Sequence, residues 1–436
     1  MRHSTKPKVV VVGGGFGGLE SALYVRSRLP DEVAITMLSE DDFFLFRPNT
    51  IYVPFGLDPK KLRLRLAGPT RRKDIHFVQA HVDEIDPISR KVYGDGTTYP
   101  YDHLIVATGA GAVLDAVPGF AEFAQPAWSV DHMLALRARF HEVFDRAREG
   151  EHLQVLFIVP PGNRCCGPLY EIALMLDAWL NRKKTRGSVE ISIATYEETF
   201  VQSFGPRVHD IVAAELAHRG IRSFTGHALE RVEEREAFFR NGVSIPFDLA
   251  VAFPPYVAST RFHNLPTDSH GFISTELTSR QVVGHPGVYA VGDTSDYPVK
   301  QAFMAFLQAD AAADHLAAMV LGTEPQIDFE MINMRLMGAA DASVFGRPPL
   351  AGSVSGSNGS VMPPGDMADS ATMDAIRSAM YRIGSSPIWR LGKLALGTYL
   401  PWRFKAGNPF YSGLPWKGME ASLKTVTPAG TPITIP

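Results

Sequence analysis

An unbroken run of valines, Val9 to Val12, ends directly in Gly13-Gly14-Gly15-Phe16-Gly17-Gly18, and this junction narrows the fold more than any other feature of the chain. Lys8 to Val12 is the β-branched, apolar kind of strand that is buried on both faces of a parallel sheet. Leu19 to Leu29 carries helical spacing, and Val33 to Leu38 reads as a second strand. Together they complete a βαβ unit of roughly 30 residues. In the pattern GxGxxG, Gly13 permits the tight turn, Gly15 lets the backbone approach a pyrophosphate, and Gly18 allows close helix–strand packing, with Phe16 and Gly17 between them. The helix N-terminus then faces the phosphates. Glu40 follows the second strand, about 20 residues beyond Gly18, where a carboxylate accepts hydrogen bonds from ribose hydroxyls.

A chain of 436 residues exceeds what one core organises. The strand, glycine turn and helix pattern returns in altered form at Leu153 to Leu180, so the expected class is α/β with two Rossmann-like βαβ domains. The first domain is read as split by the second: 1–120 and 271–325 form the first, 121–270 the second, and 326–436 a C-terminal region. Within that region, 351–371 is rich in Gly, Ser, Pro and Asp and reads as a linker or lid. A hydrophobic fraction of 45%, 20% charged residues and a net charge of -3 argue against disorder and against a polyanion-binding surface, so nucleic acid is not an expected partner. There is no apolar stretch of about 18 residues, and Met1 to Lys8 runs into a strand with no signal-like apolar segment; a cytoplasmic chain that spans no membrane is expected. The two cysteines, Cys165 and Cys166, are adjacent, which excludes a disulfide framework joining distant parts.

Two further segments bear on the nucleotide. Tyr101 to Ala110 is a buried strand ending in Ala107-Thr108-Gly109, and it resembles the ATG segment of flavoprotein reductases. His285 to Asp293 resembles their second FAD segment, in which Asp293, next to Gly292, receives a ribityl hydroxyl. Asp42 to Asn49, with Arg47 and Pro48, resembles the aromatic-rich segment of one group, the sulfide:quinone oxidoreductases and flavocytochrome c sulfide dehydrogenases. Arg164 to Glu171 is similar to that group's cysteine loop, Phe247 to Pro255 to its Asp-to-Pro-Pro strand, and Tyr297 to Gln301 to its Pro-x-Lys stretch. The resemblance runs from about Lys8 to Met319. It implies FAD as cofactor, with Val82 added to the cofactor contacts, and a peripheral enzyme on the inner face of the cell membrane. It also implies redox chemistry at Cys165, and Lys300 near the flavin and the electron acceptor.

Cys165 and Cys166 open a helix, where the dipole favours thiolate. Glu171, in the same helix, is a candidate proton acceptor for an incoming thiol, and the Lys300 ammonium a candidate for stabilising reduced flavin or polarising a quinone carbonyl. Pro160 and Pro161 remove backbone donors where a second pyrophosphate would need them, which argues against NADH in the usual mode. The resembled group uses two distant cysteines, and this chain has none after its lysine segment. Either Cys165 and Cys166 act as their own pair, or one works with an external thiophile, or the sulfide chemistry has been lost. The C-terminal tract Ile388 to Phe404 mixes Trp389, Tyr399 and Trp402 with Arg390, Lys393 and Arg403, a composition suited to a bilayer interface. The reading is an FAD enzyme passing electrons from sulfide or a small thiol to a membrane quinone. An NAD(P)H:quinone oxidoreductase and a non-enzymatic flavin-dependent redox sensor stand as alternatives, and the oligomeric state is open.

Overall fold

The computed structural model describes residues 6–202, 206–329 and 397–410, together with three short strands, Arg335–Gly338, Ser343–Arg347 and Arg382–Ser386. In chain order the elements that position the site are β1 (Lys8–Val12), α1 (Phe16–Arg28), β2 (Ala34–Ser39), β3 (Ile75–Gln79) and β4 (His103–Val106). There follow β5 (Ala124–Pro126), α2 (Val130–Arg148), β6 (Leu153–Val159), α3 (Gly167–Lys183), β7 (Val189–Thr195), α4 (Pro206–His218), β8 (Arg222–Phe224) and β9 (Leu249–Ala252). The chain then returns through β10 (Val288–Ala290) to α5 (Ala302–Leu321).

These strands build two parallel sheets, ordered β10-β4-β1-β2-β3 and β5-β9-β6-β7-β8. The valine run explains why β1 is central in the first. Val9 and Val11 face a core built with α1 and α5, while Val10 and Val12 face the opposite core beneath an antiparallel meander of Val82–Asp86, Lys91–Gly94 and Thr97–Pro100. A strand buried on both faces needs apolar residues at every position, not at alternate ones. β6 repeats the device: Val155, Phe157 and Val159 pack with α2, α3 and α4, and Leu156 and Ile158 pack on a second meander that includes Leu229, Ala237 and Ile245. The two connections between the sheets run side by side, Ala110–Ala112 pairing antiparallel with Tyr256–Ala258.

Strand order reverses at β1, since β2 and β4 lie on its two sides; in open parallel sheets this is where a crevice forms beyond the carboxyl ends of the strands. The helix begins at Phe16, three residues before the first apolar position that its spacing suggested, because Gly17 and Gly18 are themselves its first turn. The tract from 388 to 396, the linker 351–371 and everything after 410 lie outside the described residues.

Candidate active site

At that switch point lies a cavity of about 670 Å³. Gly13 enters it at φ +111°, and a Cβ there would stand 2.2 Å from the Ala107 carbonyl oxygen, so only glycine makes the turn. A Cβ at Gly18 would lie 1.9 Å from the Gly13 carbonyl oxygen, and this absence of a side chain is what brings α1 down onto β1. Gly15, by contrast, faces open space: nothing stands within 4 Å of the Cβ it lacks. As N-cap it offers no side-chain hydrogen bond, and the first turn of α1 holds no acidic residue. The positive end of the helix thus meets the cavity with no carboxylate in its own first turn. Glu40 lines the cavity beyond β2, exposed, with the His81 ring 3.7 Å from its carboxylate. This donor set, an open helix N-terminus opposite a ribose-type acceptor, fits a dinucleotide.

Further along, Thr108 and Gly109 follow β4, and Gly292 and Asp293 follow β10. The hydroxyls of Thr108 and Thr294 lie 3.0 Å apart, tying the two strand ends together. Gln308 of α5, buried at 1% exposure, accepts hydrogen bonds from Gly292 N (3.1 Å) and Ser295 Oγ (2.7 Å) and so fixes the turn that carries Asp293. Asp293 lines the cavity, and burial pushes its carboxyl up, opposed by Lys300 and Arg47. Lys300 is buried at 3% exposure and is not the solvated surface residue that a lone lysine usually is. Its Nζ donates to the Ser295 carbonyl and sits 3.7 Å from the centre of the Phe272 ring. Burial, partly offset by Asp293, brings its ammonium down to about 7.

The cysteines part company. Cys165 lines the cavity; Cys166 is buried in the core of the second sheet, its Sγ 3.7 Å from the Glu197 carboxylate. Glu171, four residues into α3, also lines the cavity and is 3% exposed, so it is a buried carboxylate and not a solvated helix side chain. Of the residues singled out in the sequence, Phe16, Gly17, Arg47, Pro48, Val82 and Ala107 complete the lining. Gly18 and Cys166 stand outside it.

Sequence reasoning missed Trp128, Met133 and Tyr256, which wall the cavity near Arg47, the guanidinium lying 5.9 Å from the Trp128 ring centre. Trp128 precedes α2, Met133 lies in its first turn and Tyr256 opens the strand after β9, and none of them carries a local signal. It also missed Leu400 and Phe410, which line the cavity from the C-terminal segment.

A sequence profile described as pyridine nucleotide-disulphide oxidoreductase matches residues 7–313. The chain belongs to that family. Members of the pyridine nucleotide-disulphide oxidoreductase family of this kind are flavoproteins, and the chain is accordingly a flavin-dependent oxidoreductase. Among curated members, it is 31% identical over 199 residues to a sulfide-quinone reductase of Aquifex aeolicus, covering 45% of this chain and 44% of that protein. It is 28% identical over 258 residues to a type II NADH:quinone oxidoreductase of Mycobacterium tuberculosis, covering 55% and 53%. In both cases the match spans only about half of the relative. The crystal structure of the sulfide:quinone oxidoreductase from Aquifex aeolicus superposes with a TM-score of 0.80 at 20% identity, over 98% of this chain and 97% of that one. Among the described residues no helix is long and apolar enough to cross a membrane.

Proposed function

We propose that the chain is an FAD-dependent enzyme that takes electrons from sulfide or a small thiol at Cys165 and delivers them to a quinone. The observation that carries this reading is that Cys165, Lys300 and Asp293 meet on the same cavity as the glycine turn. A bound flavin supplies the two-electron chemistry; the chain supplies the rest. α3 begins at Gly167, directly after the cysteines, and its dipole favours an ionised sulfur nearby. Glu171, buried on the same cavity, is suited to hold the proton an incoming thiol gives up. Lys300, titrating near neutrality, brings positive charge toward a reduced, anionic cofactor. The division into a split flavin domain and an inserted 121–270 domain is part of the same reading, supported by the paired connections between the sheets.

Quinone as acceptor is supported by the names of both kinds of relative. A peripheral seat on the inner face of the cell membrane is supported by Tyr399 and Trp402, 40% and 61% exposed beside Lys405 on a helical segment, 397–405.

The similarity to a type II NADH:quinone oxidoreductase favours a second reading, with NAD(P)H as donor. Two observations weigh against it. In the first βαβ unit only residues 13–15 separate strand from helix, whereas residues 160–166 intervene in the second, so the start of α3 is displaced from the strand end where a pyrophosphate would sit. Glu197 follows β7 as Glu40 follows β2, yet it is buried, held by Thr195 Oγ1 (3.1 Å) and Gln202 N (2.9 Å), and burial raises its carboxyl. An enclosed acid whose oxygens are already engaged is a poor ribose acceptor. The deciding experiment is anaerobic stopped-flow absorbance of the flavin-loaded protein with sulfide and, separately, NADH. Bleaching by sulfide that Cys165→Ser abolishes is expected; bleaching by NADH alone, unchanged in the variant, would overturn the sulfide reading.

A further inference from the structure

We propose that Asn163 is a positioning residue for Cys165, setting the direction of its sulfur and favouring its ionised form. The proposal rests on the reading of Cys165 as the reacting sulfur. In the loop between β6 and α3, the Asn163 side-chain carbonyl accepts the Cys165 N–H at 2.9 Å, an Asx turn that ties the amide to the peptide of the cysteine. Asn163 is itself held from both ends. Its backbone carbonyl accepts the Tyr196 hydroxyl (3.2 Å) from the segment after β7, and its N–H donates to the Pro160 carbonyl (3.3 Å). One residue on, the Arg164 carbonyl accepts Lys300 N at 3.3 Å, so the loop is pinned to the second sheet on one side and to the flavin-side segment on the other.

Within this clamp Asn163 is 8% exposed, and its Nδ2 is a buried donor with no hydrogen-bonding partner among the described residues. Buried amide donors are nearly always satisfied. The acceptor that the chemistry itself would generate within this Asx turn is an anionic sulfur on Cys165, two residues along. In that step the Cys165 S–H bond breaks, the proton goes to Glu171 or to solvent, the electron pair stays on sulfur, and Asn163 remains a neutral donor. No oxidation is involved. Asparagine is suited to both tasks, since one end of its amide accepts and the other donates.

The test is the pH profile of Cys165 alkylation by iodoacetamide in the flavin-loaded protein, read by fragment-ion mass spectrometry that separates Cys165 from Cys166. Asn163→Asp keeps the acceptor, removes the donor and adds a like charge. It is expected to raise the midpoint of Cys165 by about one unit, slowing alkylation at neutral pH about tenfold. Asn163→Ala and Tyr196→Phe are expected to shift it in the same direction by less, and they serve if the aspartate variant does not fold. A residue that only supported the loop would lower the melting temperature of Asn163→Ala without moving its profile, so a wild-type midpoint in folded Asn163→Ala would overturn the proposal whatever the added charge does in Asn163→Asp. Should sulfide fail to reduce the wild-type flavin while the midpoint still moves, the sulfide reading falls and the role of Asn163 stands.

Discussion

At the scale of single residues, the pair Lys300 and Asp293 sets a pH dependence whose sign follows from burial. Lys300 loses its proton near 7 in the folded chain and near its ordinary 10.5 when unfolded. Between those values the unfolded state binds more protons, so the lysine makes stability rise with pH, and its destabilising effect is complete below about 7. Asp293, raised by burial, has the opposite slope in a window above its ordinary 3.8. Thermal unfolding of the flavin-free protein between pH 7 and 9 is therefore expected to show a rising stability component that Lys300→Met lacks; equal slopes in the two proteins would remove the buried-lysine account. In the flavin-loaded protein below pH 7, the same variant is expected to lower the flavin midpoint potential by roughly 30 mV, a tenfold change for a two-electron couple. The position of Lys300 was legible in the sequence from Pro298 and the helix that follows. Its burial was not, because Phe272 and Asp293, which enclose it, lie in separate segments of the chain. Asn163 and Glu197 were illegible in part for the same reason: beside their local partners, each meets a group from across the second sheet, Tyr196 at Asn163 and Cys166 at Glu197.

Among the elements, the two glycine turns show how much of a site can be read locally. The first carries its geometry in its glycine spacing: Gly18 answers to the Gly13 carbonyl within the same turn, Gly13 to the Ala107 carbonyl of the neighbouring strand end, and Gly15 to open space. Gly15→Ala and Gly18→Ala should consequently part. A methyl at Gly18 collides with the Gly13 carbonyl and is expected to destabilise the flavin-free protein by about 1–3 kcal/mol. A methyl at Gly15 meets nothing in the protein and is expected to leave that melting temperature in place while reducing flavin occupancy. Calorimetry of the flavin-free form, beside the visible-to-ultraviolet absorbance ratio of the loaded form, measures both; equal melting temperatures for the two variants would contradict the packing role of Gly18. The second turn was legible only as a departure from the first. Its prolines and cysteines announced that the element had changed use, but the pinning of residues 160–166 between Tyr196 and Lys300 depends on contacts that no local pattern encodes.

Across the whole molecule, the cavity opened by the first residues of the chain is closed by some of the last. Phe410 N donates to the buried Glu20 carboxylate of α1 at 2.7 Å, a bond spanning 390 residues of sequence. Leu400, Phe404 and Phe410 are buried in the core that holds Phe16, Phe44 and Phe306, with Phe404 5.2 Å from the Phe44 ring and 5.9 Å from the Phe306 ring. The mixed aromatic and basic composition of this segment reads as a membrane-interface helix, but the described part is divided between that and packing: Leu400 and Phe404 turn inward, Tyr399 and Trp402 outward. Substitutions on the two faces should therefore have separate consequences. Phe404→Ala removes a ring with no exposure from the core shared with Phe16 and Phe306 and is expected to cost about 3–5 kcal/mol, with weaker flavin retention after dilution. Trp402→Ser removes a mostly exposed ring, so stability is expected to stay within about 0.5 kcal/mol while sedimentation with lipid vesicles declines. If Trp402→Ser instead lowers stability as much as Phe404→Ala and leaves vesicle binding unchanged, the outward face is a protein contact and the membrane seat must be sought elsewhere on the chain.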